Sequence, residues 1–295
     1  MNHKKYFEKI QTMTRKEWEQ EAGFIFLKLC LLIVIISLGV LIGFIFLKGF
    51  RVLNWEFFTA FPRNGMSEGG IFPAIVGTFL LSTGAILFSL PLGVFTAVWL
   101  TEYSNNPRMV RFLRIGINSL AGVPSVVFGL FGFAFLVKFM GFGVSVLSGA
   151  IVLGILVLPT IIRTSEEALL TVPPAFKEAS LALGATRWET MVKIILPNSI
   201  SGILTGIILS IGRAAGETAP ILLTAATFFT VRLPDSVFSE VMALPYHIYA
   251  LMTEGTHAKQ LEIAYGTALV LLILVLLINS AAIYIRIKSR RNRKW

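Results

Sequence analysis

The chain holds a single cysteine, Cys30, inside a long apolar run. That excludes an intramolecular disulfide and a thiolate metal cluster. Charged residues are scarce at 14%, well below the ~25% of a soluble domain. The three histidines, His3, His247 and His257, are scattered in polar stretches and form no metal-ligand spacing. The phosphate-binding loop G-x-x-x-x-G-K-S/T is absent, so the chain lacks the usual means of binding and hydrolysing ATP. G-x-S-x-G, H-E-x-x-H and C-x-x-C are absent too, and no other catalytic constellation replaces them. Neither an internal repeat nor a low-complexity stretch is present. No cofactor is implied.

What the chain has in abundance is apolar sequence: 55% hydrophobic residues and a mean hydropathy of +0.78. These residues fall in long blocks, which points to membrane-spanning helices and away from a β-barrel. Six blocks can cross a hydrocarbon layer: Leu29–Leu47, Ile71–Leu100, Ile115–Val137, Val144–Ile162, Asn198–Val231 and Ile263–Ile285. The expected fold is therefore an all-α membrane protein with six transmembrane helices. Pro91 and Pro220 sit inside the second and fifth blocks, where each should kink or break its helix and act as a hinge. The first block is too long for a signal-peptide core and lacks a small-x-small cleavage site after Leu47, so it reads as a retained anchor.

Lysine and arginine set the orientation. With the amino terminus in the cytoplasm, eighteen fall on the inside and six on the outside. The bias places both termini in the cytoplasm. The basic tail from Arg286 to Lys294 then serves as an anchor against anionic membrane lipid, and nucleic acid is not an expected partner. The outside segment 232–262 carries apolar and aromatic residues, among them Phe238, Leu244, Tyr246 and Leu251, and should fold back as short helices.

The long inside segment, about 163–193, contains Glu178-Ala179-Ser180, then Gly184, then Ile194-x-Leu196-Pro197. Pro173-Pro174 ends one element, residues 175–183 can form a short amphipathic helix, and Gly184 permits a tight reversal. An ordinary connector lying on the membrane would also satisfy this pattern. The spacing nevertheless resembles the EAA loop of permease subunits of ABC importers, with serine in place of the third small residue. That resemblance implies a type I ABC importer (MetI-like) architecture in which Glu178, Ala179, Ser180 and Gly184 couple the chain to an ATPase.

The fifth block carries Gly212-Arg213-Ala214-Ala215-Gly216-Glu217-Thr218-Ala219-Pro220. Charges within a span usually face a bundle interior or a water-filled path. Gly202, Gly206, Ser210, Arg213, Glu217, Pro220 and Thr224 recur three or four apart and share one stripe of a continuous helix. Arg213, Glu217, Ser210, Thr218 and Thr224 are the candidate transport-path residues, the alternative being an Arg213–Glu217 pair that only locks helices. The glycine pairs Gly202/Gly206 and Gly212/Gly216 read most simply as tight helix packing.

The stretch 216–224 looks like the fifth-helix signature of phosphate permeases, and more specifically of the PstA-type subunit. Leu120-Ala121-Gly122-Val123-Pro124-Ser125 and Leu244-Pro245-Tyr246-His247-Ile248-Tyr249 look like that subunit too. The resemblance covers roughly residues 67–289, leaving 1–66 as an amino-terminal segment with the first span and 290–295 as a basic tail. It implies a PstC-like permease partner, two ATPase subunits inside, a phosphate-binding protein outside, and inorganic phosphate as substrate. The chain itself would be no enzyme. A permease for sulfate or molybdate is the nearest alternative, and a secondary transporter or membrane enzyme lies further off. Reporter fusions after Met66 and Glu254 should signal the outside and one after Trp295 the inside. An outside signal at Trp295 would refute the topology.

Overall fold

The computed structural model describes residues 15–228 and 232–291. Lys4, Lys5 and Lys9, the end of the basic tail, and Val231 lie outside the described residues. Two compact units divide the chain, residues 1–48 and 49–295. The described part of the first is one long helix, α1 (Arg15–Gly49).

The second unit opens with the short helix α2 (Trp55–Thr59) and a two-stranded hairpin, β1 (Pro62–Arg63) with β2 (Glu68–Gly69). Phe57 and Met66 from this region are buried, in one apolar cluster with Leu244, Leu251 and Ala264. Then come α3 (Phe72–Val98), α4 (Pro107–Ala121), α5 (Ser125–Gly132) and α6 (Val146–Leu170). The chain continues through α7 (Pro174–Ala182), α8 (Arg187–Thr190), α9 (Leu196–Gly216) and α10 (Ala219–Thr224), and closes with α11 (Leu244–Thr253) and α12 (Ala258–Arg291). Among the described residues five helical stretches are long and apolar enough to cross a membrane, and one bent pair can supply a sixth span.

The middle of the bundle is α6, whose Val152, Leu153, Leu156, Val157, Ile161 and Ile162 are all buried. Lipid is as apolar as these side chains, so burial alone drives little association there; close van der Waals packing does. Small residues permit it. A side-chain carbon added at Gly154 would lie 3.0 Å from the Ala85 carbonyl oxygen of α3, and one at Gly93 would lie 2.6 Å from Ile161. At Gly202 and Gly206 of α9 it would fall 2.4 Å from Ala168 and 1.9 Å from Thr164. Gly202 and Gly206 therefore form a packing seam against α6. Segment 232–262 does fold back: α11 buries Leu244 and Leu251, and the Thr78 hydroxyl of α3 accepts the Leu244 N–H at 2.8 Å. His247 of α11 is fully enclosed, and burial pushes its imidazole down to about 4, so it is neutral near pH 7.

Three expected spans change shape. Ile115–Val137 is not one helix: Pro107–Ala121 and Ser125–Phe139 meet at 96°. Pro124 has no N–H to continue the ladder and pushes Val123 out of helical space. Arg108, Arg111 and Arg114 also line α4, which could not enter hydrocarbon without desolvating them. Instead Arg114 pairs with Glu166 of α6, and Arg163 donates to the side-chain carbonyl of Asn118. The fourth span runs eight residues past Ile162, to Leu170. The fifth ends at Gly216, with Glu217 extended, so the stripe through Pro220 and Thr224 is not continuous. α3, by contrast, runs unbroken through Pro91, whose ring lies on the exposed side.

Candidate functional site

Two places gather the residues singled out above, and α9 joins them. The first is the loop between α6 and α9. Pro173 and Pro174 fix the backbone for the start of α7. After Leu183 the chain reverses at Gly184, whose φ of +86° a side chain would oppose through backbone strain, with open space around it. The Gly184 N–H donates to the Leu181 carbonyl at 3.0 Å, and the Ala185 N–H to the Ser180 carbonyl at 3.2 Å. Thr186 then starts α8 with a reciprocal cap: its hydroxyl accepts the Glu189 N–H, and the Glu189 carboxylate accepts the Thr186 N–H.

α8 passes into α9 through a wide turn, Met191–Ile195, in which the Leu196 N–H donates to the Met191 carbonyl five residues back. Such a turn suits the approach to Pro197, which cannot donate to the Lys193 carbonyl.

This loop has one fastened face and one exposed apolar face. On the fastened face Ser180 is buried, its hydroxyl 2.9 Å from that of Thr190, and Lys177 pairs with Glu102 just beyond α3. On the other, Glu178 and Ala179 are exposed, together with Phe176, Leu181, Leu183 and Trp188. Leu183 is 89% exposed. A recess of about 440 Å³ lies beside them, lined by Phe176, Ala179, Leu183, Ala185 and Ile194 among others.

The second place is the break after α9. Arg213 Nε donates to Glu217 Oε1 at 3.4 Å, a long charge-assisted bond between a 41% exposed arginine and a 19% exposed glutamate. The break follows at once. Residues 217–218 are non-helical, and a side chain at Gly216 would meet open space. Irregular backbone at membrane depth is tolerated where protein buries it or where it borders water. Thr218 precedes the first turn of α10, and Pro220 is buried against Gly129 of α5. Thr224 is buried, its hydroxyl donating to the Pro220 carbonyl at 2.7 Å. Ser210 is also buried and its hydroxyl has no partner. The structure thus brings Arg213, Glu217 and the break together and encloses Ser210 and Thr224. Pro91 belongs to another helix. Lys177, Glu102 and Thr190 are absent from the sequence reading: Glu102 lies 75 positions from Lys177, and nothing local marks the pair.

Over residues 89–294 the chain matches the family described as binding-protein-dependent transport system inner membrane component. It is similar to the phosphate transport system permease protein PstA 1 of Mycobacterium tuberculosis, with 40% identity over 226 residues, 77% of this chain and 72% of that one. With PstA of Xylella fastidiosa it shares 34% over 235 residues, 80% and 81% of the two chains. Among solved structures, the inward-facing MetNI methionine ABC transporter matches with a TM-score of 0.57 at 21% identity, over 75% of this chain and 94% of that one. A bacterial alginate ABC transporter in complex with an alginate-bound periplasmic protein matches at 0.65 and 16%, over 95% and 96%. At these identities the structural likeness is one of fold.

The Lys177–Glu102 contact is partly exposed and should contribute about 1 kcal/mol to holding α7 down. Glu102→Lys should therefore speed proteolysis within the loop severalfold in membranes. The charge swap, Glu102→Lys with Lys177→Glu, should restore the original rate. A swap as labile as the single variant would show that the pair does not fasten the loop.

Proposed function

The chain belongs to the family of binding-protein-dependent transport system inner membrane components, and from that membership we propose that it is the PstA-type permease subunit of an ATP-driven importer of inorganic phosphate. The observation that carries the substrate is the similarity to phosphate transport permeases along most of the chain. Its partners on this reading are a PstC-like permease, two ATPase subunits at the cytoplasmic face, and a phosphate-binding protein outside. Both termini lie in the cytoplasm, and the chain hydrolyses nothing itself.

Coupling follows from the loop's two faces. The apolar face of Phe176, Leu183 and Trp188, with Glu178 beside it, docks in a cleft of the ATPase. The other face, fastened through Lys177 and Ser180, carries the ATPase's movement into α3 and α9. Gly184 sets the angle between α7 and α8. Gly184→Val should abolish ATP-driven uptake while the subunit still inserts and assembles, because only backbone strain opposes the new side chain. Normal uptake by that variant would remove the loop from the coupling scheme. Glu178→Lys should weaken uptake to a lesser extent.

Transport takes the anion between the two permeases, past the break at Gly216. Arginine's planar fork makes paired charge-assisted hydrogen bonds to phosphate. Its existing bond to Glu217 is long and leaves other N–H groups free to meet an anion. Glu217 repels a bare dianion yet accepts a hydrogen bond from the proton that phosphate retains, a proton that sulfate lacks at neutral pH. With the assembled complex in vesicles, phosphate uptake should survive competition by sulfate or molybdate. Arg213→Gln, Glu217→Gln and the double variant should all lose uptake with the complex intact. Recovery in the double variant would reduce the two residues to a structural pair, and equal competition by sulfate would refute the substrate.

A further inference from the structure

A polar cavity of about 490 Å³, distinct from the apolar recess, lies where α6, α9 and α12 converge, next to the coupling loop. Glu167 of α6, Thr171 just beyond it, Ser201 and Thr205 of α9 and Arg286 of α12 are in its wall. Thr205 stands eight residues before Arg213 on the same helix, about 12 Å away along its axis, so this cavity is separate from the break.

Arg286 gives it chemical character. Its Nη1 donates to the Thr205 hydroxyl at 3.2 Å, and that hydroxyl donates in turn to the Ser201 carbonyl at 3.1 Å. The Arg286 Nε is buried and has no hydrogen-bond partner among the described residues. Among the described residues no carboxylate pairs with Arg286. Its positive charge therefore stands on the wall of a polar cavity without a counter-charge, which favours an anion there. The hydroxyls of Thr164, Thr171 and Ser199 and the Asn198 amide already donate to backbone carbonyls, which leaves Arg286 as the charged donor, with the Ser201 hydroxyl beside it. Glu167 is exposed on the same wall and disfavours an anion that has nothing to donate.

We propose that this cavity binds a phosphoryl oxyanion that also carries a hydrogen-bond donor, its phosphoryl oxygens on Arg286 and its donor toward Glu167. Two sources share that chemistry: protonated inorganic phosphate from the cytoplasm, and the phosphoethanolamine headgroup of a membrane lipid. The occupant joins α12 to α6 and α9 beside the coupling loop. The proposal draws its cytoplasmic placement from the function above but not its substrate, and uptake by the unaltered complex tests that substrate separately.

The test uses the complete complex, purified in maltoside detergent without phosphate buffer, as wild type, Arg286→Gln and Arg286→Lys. Native mass spectrometry reads retained phosphatidylethanolamine, and thermal stability against added inorganic phosphate reads the free anion. Arg286→Gln should lose the retained lipid, or weaken phosphate binding at least about tenfold, and whichever signal is lost identifies the source. Arg286→Lys, which keeps the charge, should fall between. Wild-type lipid retention and phosphate response in Arg286→Gln would overturn the proposal. So would equal loss in both variants with the complex intact, which would make Arg286 a packing residue.

Discussion

Everything distinctive in this bundle hangs on how closely α3, α6 and α9 approach one another. In lipid no hydrophobic force pulls apolar helices together, so contact has to come from backbones that fit. Gly93 against Ile161, Gly154 against Ala85, Gly202 against Ala168 and Gly206 against Thr164 provide that fit. Each position leaves no room for even a methyl group without movement of a neighbour. The result is a three-helix core whose members must shift together if they shift at all.

The functional features are attached to that core at its ends. The loop proposed to meet the ATPase leaves α6 at Leu170 and returns into α9 at Leu196. Its Lys177 reaches the end of α3, so all three core helices feel its position. The break at Gly216 ends α9 some twenty residues further along, between a charged pair and a short helix wedged on α5. α9 thus connects the loop to the place where its own backbone ladder stops. In the proposed mechanism that is how nucleotide-driven movement on one side of the membrane reaches the anion.

The sequence made much of this legible, for physical reasons. Long apolar blocks must be helices in lipid, so element type could be read directly, whereas five stretches are long enough to span and the sixth expected span is a bent pair. Gly184 could be read as a reversal because few other residues tolerate its backbone angle, and its φ of +86° accords with that reading. Helix ends were harder. Gly122-Val123-Pro124 looks like a tolerable interruption in a hydropathy plot, and only the arginines of α4 indicate that one side stays out of the membrane. Pro91 and Pro220 are alike in sequence, yet α3 continues through one while α9 ends just before the other. Packing around each proline decides this, with Pro91 exposed and Pro220 buried on α5. Partners far apart in the chain, such as Lys177 with Glu102 and Arg286 with Thr205, leave no local trace.

The central claim is that the exposed apolar tip of the loop is where ATPase movement enters the chain. Placing a photo-cross-linking residue at Leu183 in the assembled complex tests it most directly. The account predicts a product joining this chain to one ATPase subunit. Labelling of lipid alone, with the complex intact, would contradict it.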